Sequence, residues 1–225
     1  MNKQNKLYLA IVLLAAFAVW TVALCFVDVQ RIGPQGSAVG FATVNGAFHR
    51  LTGVHMALYT LTDWLSLIPV AVILGFGSLG LAQWISRKKL RKVDRSLLVL
   101  GGFYLVVMAF YLLFEYLVIN RRPVLVEGYL EASYPSSTTM LVLSVMPTAL
   151  LQLKQRIKIP LLCKTVCTAI AAFTAFMVMG RLISGVHWLT DIIGGALLSA
   201  ALVLLYSAAA ASSQCATNLF TNRHS

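Results

Sequence analysis

The sequence predicts an all-α, polytopic membrane protein: six transmembrane helices with a short extracytoplasmic helix lying along the membrane surface. Three observations predict it. The 225 residues are 59% hydrophobic and only 11% charged, with a mean hydropathy of +0.82, whereas a soluble domain carries about 25% charged residues. Six apolar stretches approach or exceed the roughly 20 residues needed to cross a hydrocarbon core. The basic residues fall unevenly between those stretches. This composition excludes a soluble domain, a disordered chain and a nucleic-acid-binding domain, despite the net charge of +11.

The apolar stretches run approximately over 7–27, 56–85, 96–119, 136–153, 161–182 and 189–211. Each is expected to be helical, because an unpaired backbone amide in lipid costs several kcal/mol. The first is too long, and its flank too weakly basic, for a cleaved signal peptide. The second is over-long and contains Asp63 and Pro69, so its start reads as an interfacial turn. The fourth is the shortest. In 28–55, the turn residues Ile32-Gly33-Pro34-Gln35-Gly36 precede an amphipathic stretch, which predicts the short surface helix. No repeat, linker or second domain interrupts the chain, so residues 1–225 read as one membrane domain.

Charge orients it. Thirteen of the 18 Lys and Arg residues fall on one side: Lys3 and Lys6, the run from Arg87 to Arg95, the group Lys154, Arg156, Lys158 and Lys164, and Arg223. Arg31, Arg50, Arg121, Arg122 and Arg181 fall on the other. Basic residues favour cytoplasmic loops. Both termini are therefore expected inside, with 28–55, 120–135 and about 183–188 outside. Cys25, Cys163, Cys167 and Cys215 lie in or beside apolar stretches, and no His or second Cys pair joins Cys163 and Cys167. That pattern predicts neither a metal site nor a disulfide framework.

The expected outer segments hold the unusual residues. In one, Asn120-Arg121-Arg122-Pro123 is followed by Glu131-Ala132-Ser133-Tyr134-Pro135-Ser136-Ser137-Thr138-Thr139. A proline, three hydroxyl residues and an apolar run mark a helix start, whose free amides favour an anion such as phosphate. A well-capped membrane helix is the plainer reading. In the other, Gly180-Arg181 precedes His187 and Asp191. Residues four apart share a helical face, so Asp191 is expected to hydrogen-bond one imidazole nitrogen and leave the other as base, nucleophile or ligand. The alternative is an Arg181–Asp191 pair that staples two helices.

Ser136 and Arg181 are 45 residues apart, enough for one span inward, a basic loop and one span outward. Arg122, the Ser136–Thr138 helix start, Arg181, His187 and Asp191 therefore share one membrane boundary. Guanidinium groups, helix amides and an oriented imidazole form an oxyanion cradle beside a nucleophile, as phosphoryl transfer requires. Asp63 reads either as a further partner to this group or as a helix cap. His49 and His55 read as solvated or packed, and His224 belongs to a polar tail.

The chain resembles the type 2 phosphatidic acid phosphatase superfamily, membrane lipid phosphatases related to vanadium haloperoxidases. The resemblance spans segments 115–139 and 180–191. The family pattern K-x6-R-P is matched by Arg122-Pro123 with Glu115 in the Lys position. P-S-G-H aligns with Pro135-Ser136-Ser137-Thr138, and S-R-x5-H-x3-D with Gly180-Arg181, His187 and Asp191. The resemblance implies that His187 is the nucleophile, forming a phosphohistidine, and that Asp191 orients it. It also implies that Arg122, Arg181 and Ser136 hold the phosphate, with Ser137 in the same helix start.

Three departures stand out. Thr138 replaces the histidine that protonates the leaving group, Glu115 reverses the charge of a phosphate-binding Lys, and Gly180 removes a hydroxyl. Arg121 is a candidate to supply the missing positive charge, and Glu115 to pair with an arginine or receive a cationic headgroup. Two readings follow. One is a lipid phosphatase working from the extracytoplasmic face without metal or other cofactor, on a lipid diphosphate or phosphate, isoprenyl diphosphate being favoured. The other is a lipid-phosphate binding or transport protein on the same fold with weakened catalysis.

Overall fold

The computed structural model describes the backbone of residues 1–221 and the side chains of residues 1–210. The sequence readings of Cys215, Arg223 and His224 lie outside the described residues. Within them the protein is all-helical: α1 (Lys3–Phe26), α2 (Ala42–Thr52), α3 (Met56–Leu65), α4 (Leu67–Arg87), α5 (Arg95–Leu117), α6 (Ser137–Arg156), α7 (Pro160–Ile183) and α8 (Leu189–Thr221).

Five stretches are long and apolar enough to cross a membrane: α1, α3 with α4 (Met56–Arg87), α5, α7 and Leu189–Ala210 of α8. Their outer faces carry Val19, Val22, Leu105 and Leu161 exposed, which suits contact with acyl chains. The over-long stretch does break near its start. Ser66 turns the chain there, its N–H donating to the carbonyls of Thr62 and Asp63. α2 occupies the expected position within 28–55.

α6 is the exception, since its composition does not reach the apolarity of the other five. Ten of its 20 residues are buried, and its polar groups are paired inside the bundle. Ser144 donates to Ser199 on α8 at 3.2 Å, Ser199 donates to the Met140 carbonyl, and Gln152 bonds Tyr206. Surrounded by α4, α5, α7 and α8, α6 has little surface facing outward and so tolerates polar side chains that a lipid-facing helix would not.

The main apolar cluster joins α1, α5, α6 and α8 through Phe17, Leu24, Phe103, Phe114, Met140, Leu198 and Leu202. Tyr134, just before α6, locks into it. Its ring stacks on Phe17 and meets Phe114 edge-on, and its hydroxyl shares a 2.7 Å hydrogen bond with Thr21. Gly194 allows this approach, because a Cβ there would lie 2.4 Å from the Tyr134 ring.

Residues 118–136 form a hairpin-like loop that periodicity did not predict. Val126 and Tyr129 exchange both backbone hydrogen bonds. Glu127 and Gly128 between them have φ of 51° and 85°, the two positive values of a tight two-residue turn. Further along, the Arg122 N–H donates to the Glu131 carbonyl and the Ser133 N–H to the Asn120 carbonyl. The loop thereby sets Arg122 opposite Glu131 and Asn120 opposite Ser133.

Candidate active site

The loop, the start of α6, the end of α7 and the start of α8 converge at one end of the bundle, and the Asp191 carboxylate lies at the centre. It is fully buried. Its Oδ2 accepts from the Trp188 N–H at 2.9 Å and from the Ser133 hydroxyl, and its Oδ1 from Asn120 at 3.5 Å. Its backbone carbonyl accepts from the Ser136 N–H at 3.1 Å. Buried charge is tolerated only when hydrogen-bonded in this way.

His187 does not share a helical face with Asp191, contrary to the spacing argument. It lies in the turn before α8, where Gly185, with φ of +68°, lets the chain pass against residues 53 and 54. A Cβ there would meet the Gly53 carbonyl oxygen at 1.9 Å. The His187 Nδ1 is 3.8 Å from Asp191 Oδ2, too far for a direct hydrogen bond. The Ser133 hydroxyl stands between them, 3.2 Å from Nδ1. The other ring nitrogen, Nε2, is buried without a hydrogen-bond partner.

His187 lines a cavity of about 220 Å³ together with Glu115, Arg122, Glu131, Ser133 and Ser137. The Arg122 Nε is 3.0 Å from the Glu131 carboxylate, while its Nη1 is buried without a partner. Arg181 is almost wholly buried and is not part of the cavity lining. Its Nη2 lies 3.6 Å from Asp63 on α3, and its Nη1 is 3.5 Å from both the Tyr59 carbonyl and the Thr62 hydroxyl. The staple between Arg181 and Asp191 is therefore absent, and the arginine ties α7 to α3 instead. Asp63 serves this pairing, whereas its carboxylate caps no helix. Both guanidinium groups sit over the ring of Tyr59, Arg181 at 4.6 Å and Arg122 at 5.6 Å from its centre.

The remaining sequence candidates separate. Ser136 caps α6, its Oγ accepting from the Thr139 hydroxyl at 3.0 Å and from the Thr139 N–H, so it is turned into the protein. Ser137 faces the cavity in its place. Thr138 is buried and does not line that cavity. Arg121 is exposed and donates to the Leu130 carbonyl at 2.9 Å. Side chains alternate along extended backbone, so when Arg122 faces inward Arg121 faces out. It does not replace the positive charge missing at Glu115. Glu115 lines the cavity without a basic group within 4 Å among the described residues. Gly180 has a packing reason, since a Cβ there would lie 2.7 Å from the Thr62 methyl of α3.

Residues 73–214 match the model of the PAP2 superfamily. The chain belongs to that superfamily. This PAP2 protein is also similar to a solved Bacillus subtilis structure, described as the first transmembrane PAP2 type phosphatidylglycerolphosphate phosphatase. The two are 21% identical with a TM-score of 0.58, over 89% of this chain and 94% of that one. At this identity the likeness establishes the fold. The curated proteins give no match. The family match begins after α3, so Tyr59, Thr62 and Asp63, which hold Arg181, lie outside it.

Sequence reasoning missed Ser133, Glu131, Asn120 and Tyr59. Glu131 and Ser133 had a signal, because residues two apart in extended backbone share a face. Tyr59 had none, as an aromatic in an apolar helix is usually lipid-facing or core.

Electrostatically, burial pushes the His187 pKa down to about 4, the Arg122 and Arg181 charges lower it too, and Asp191 opposes them. The imidazole is therefore neutral at neutral pH. Histidine in an unfolded chain titrates near 6.5, so below that pH the unfolded chain binds the extra proton first. The site therefore contributes a stability that rises with pH between about 4 and 6.5. In an NMR titration of imidazole resonances, His187 should remain unprotonated at pH 5.5. Titration of His187 near 6.5 would show that the site is open to water.

Proposed function

We propose that this protein is a lipid phosphatase that hydrolyses a lipid diphosphate or phosphate at the extracytoplasmic face through a phosphohistidine on His187. The observation that carries the reading is that His187 and Arg122 line one cavity and that each has a buried side-chain nitrogen without a hydrogen-bond partner, Nε2 and Nη1. An acceptor and a donor left unused beside one space suit a phosphoryl group, which offers an electrophilic phosphorus and anionic oxygens. Nε2 attacks phosphorus, the N–P bond forms as the bond to the leaving oxygen breaks, and that oxygen keeps the electron pair. Water then attacks phosphorus and loses a proton to solvent, and the N–P pair returns to Nε2. Arg122 and Ser137 bind the phosphoryl oxygens, and Arg181 adds positive field from behind Tyr59. The inventory needs no metal or other cofactor.

The departures from the family pattern bear on substrate. An alkoxide leaving group has a conjugate-acid pKa near that of water, about 15.7, and protonating it is worth on the order of 10²–10⁴-fold. Thr138 cannot do this. A phosphate leaving group, with a second pKa near 6, departs as an anion. We therefore favour a lipid diphosphate, such as an isoprenyl diphosphate. The second reading, a lipid-phosphate binding or transport protein with weakened turnover, is favoured by Thr138, which cannot protonate a leaving group and so removes an aid to turnover without removing a phosphate contact. Glu115 and Glu131 also line the cavity, and their negative charge weighs against the anion equally in both readings.

We also propose six spans with both termini cytoplasmic. The 20 residues of α6 rise about 30 Å, one hydrocarbon thickness, and its polar groups are bonded inward. The run from Arg87 to Arg95 joins the end of α4 to the start of α5, at the bundle end opposite His187, and the preference of basic residues for the cytoplasmic side supports this orientation.

Three outcomes are expected. A cysteine at Glu127 should react with an impermeant thiol reagent on intact cells and one at Lys89 should not; the reverse would invert the protein. Purified protein incubated with labelled lipid diphosphate should yield an acid-labile phosphohistidine, and His187→Ala should abolish both adduct and phosphate release. Unchanged release in that variant would remove His187 from the chemistry. With lipids in parallel, kcat/KM for the diphosphate should exceed that for the monoester by about 10²-fold or more. Tight lipid-phosphate binding without release from either class would establish the binding reading.

A further inference from the structure

The distance between His187 and Asp191 leaves a gap in the proposed chemistry. A nucleophilic Nε2 requires the proton to sit on Nδ1, yet Asp191 Oδ2 is 3.8 Å from Nδ1 and holds it by no direct bond. Ser133 occupies the gap, with its hydroxyl bonded to Asp191 Oδ2 and 3.2 Å from Nδ1. The hydrogen-bond inventory fixes the direction. An ionised carboxylate only accepts, so the hydrogen of the Ser133 hydroxyl points to Asp191. The serine oxygen is then left as an acceptor toward His187, and a contact there requires a hydrogen on Nδ1. Trp188 N–H and Asn120 hold the carboxylate from the other sides. The chain of bonds thus runs from Nδ1–H to Oγ–H to the carboxylate, and Nε2 is left with a lone pair that no protein group occupies.

We propose that Ser133 is the positioning residue that couples Asp191 to His187, selecting the Nδ1–H tautomer and aiming Nε2 at the substrate phosphorus. The role in turnover rests on the phosphatase reading; the tautomer role does not. Ser133 makes no bond to substrate phosphorus. When the N–P bond forms, the imidazole becomes positively charged, keeps the proton on Nδ1, and is stabilised by the carboxylate through the serine hydroxyl. The loop fixes the serine by its backbone, the Ser133 N–H donating to the Asn120 carbonyl at 2.9 Å. The hydroxyl is thus placed by the same two-stranded turn that places Arg122.

The test uses the full chain in lipid nanodiscs, labelled with ¹⁵N in its histidine rings, with the His187 signals assigned by their loss in His187→Ala. Wild type should show His187 as the Nδ1–H tautomer, Ser133→Thr should keep it, and Ser133→Ala should lose the preference. With a lipid diphosphate, Ser133→Ala should lower kcat on the order of 10- to 100-fold, by analogy with loss of the hydrogen-bond partner that orients a metal-ligating imidazole. KM should stay unchanged, and Ser133→Thr should recover most of the rate. An unaltered His187 tautomer in Ser133→Ala overturns the proposal, as does an equal loss of kcat in the Ala and Thr variants, which marks a packing role. If Ser133→Ala does not fold, the wild-type tautomer decides: Nε2–H overturns the proposal and Nδ1–H upholds it. Wild-type protein that releases no phosphate while Ser133→Ala shifts the tautomer keeps Ser133 in this role and overturns the phosphatase reading. Turnover with Ser133→Ala indistinguishable from wild type does the reverse.

Discussion

The structure at the cavity end of the bundle depends on one buried carboxylate. Asp191 is inaccessible to water, so its carboxylate and its backbone carbonyl need protein donors in place of hydration. Those donors come from three places: Trp188 in the turn before α8, Ser133 and Asn120 in the 118–136 loop, and, at its backbone carbonyl, Ser136 at the head of α6. Satisfying Asp191 therefore draws the loop, the α6 start and the His187 turn together. Arg122 and His187 reach one cavity because the elements carrying them are tied to the same point.

A second layer holds the first turn of α8 from the other side. Asn45 on α2 donates to the Thr190 hydroxyl and to the Gly40 carbonyl, and accepts from the Thr190 N–H. Trp20 of α1 donates to the Thr190 carbonyl, and Trp188 to the Arg121 carbonyl. These side chains pair groups that water would otherwise have to reach. The burial of His187 at the foot of this turn lowers its pKa, and electrostatic interactions there are stronger than at a wet surface.

The departures from the family pattern have different physical standing. Gly180 is a consequence of packing, since α3 brings the Thr62 methyl to where a serine Cβ would lie. α3 also supplies Thr62, Asp63 and the Tyr59 carbonyl to Arg181, so the change at 180 and the anchoring of Arg181 form one arrangement. Glu115 and Thr138 have no such compensation on neighbouring helices. They change the charge beside the cavity and remove a titratable side chain from the family pattern.

The membrane class, five of the six expected apolar helices, the short helix in 28–55 and the family were legible from residues alone. Hydropathy and charge distribution are additive along a chain, and the spacing Arg181, His187, Asp191 is a local pattern. The tertiary structure decided what depends on distance between segments. Arg121 and Arg122 are adjacent in sequence, yet extended backbone in the loop sends only one inward. The ion pair of Arg181 goes to Asp63, 118 positions away, because α3 packs on α7. The i, i+4 spacing of His187 and Asp191 promised a direct bond, but helix α8 begins only at Leu189, and the turn before it opens a gap that Ser133 fills. Periodicity assigns faces on an element already formed. Where an element starts, and which remote hydroxyl fits a gap of one atom, are set by packing across the whole bundle.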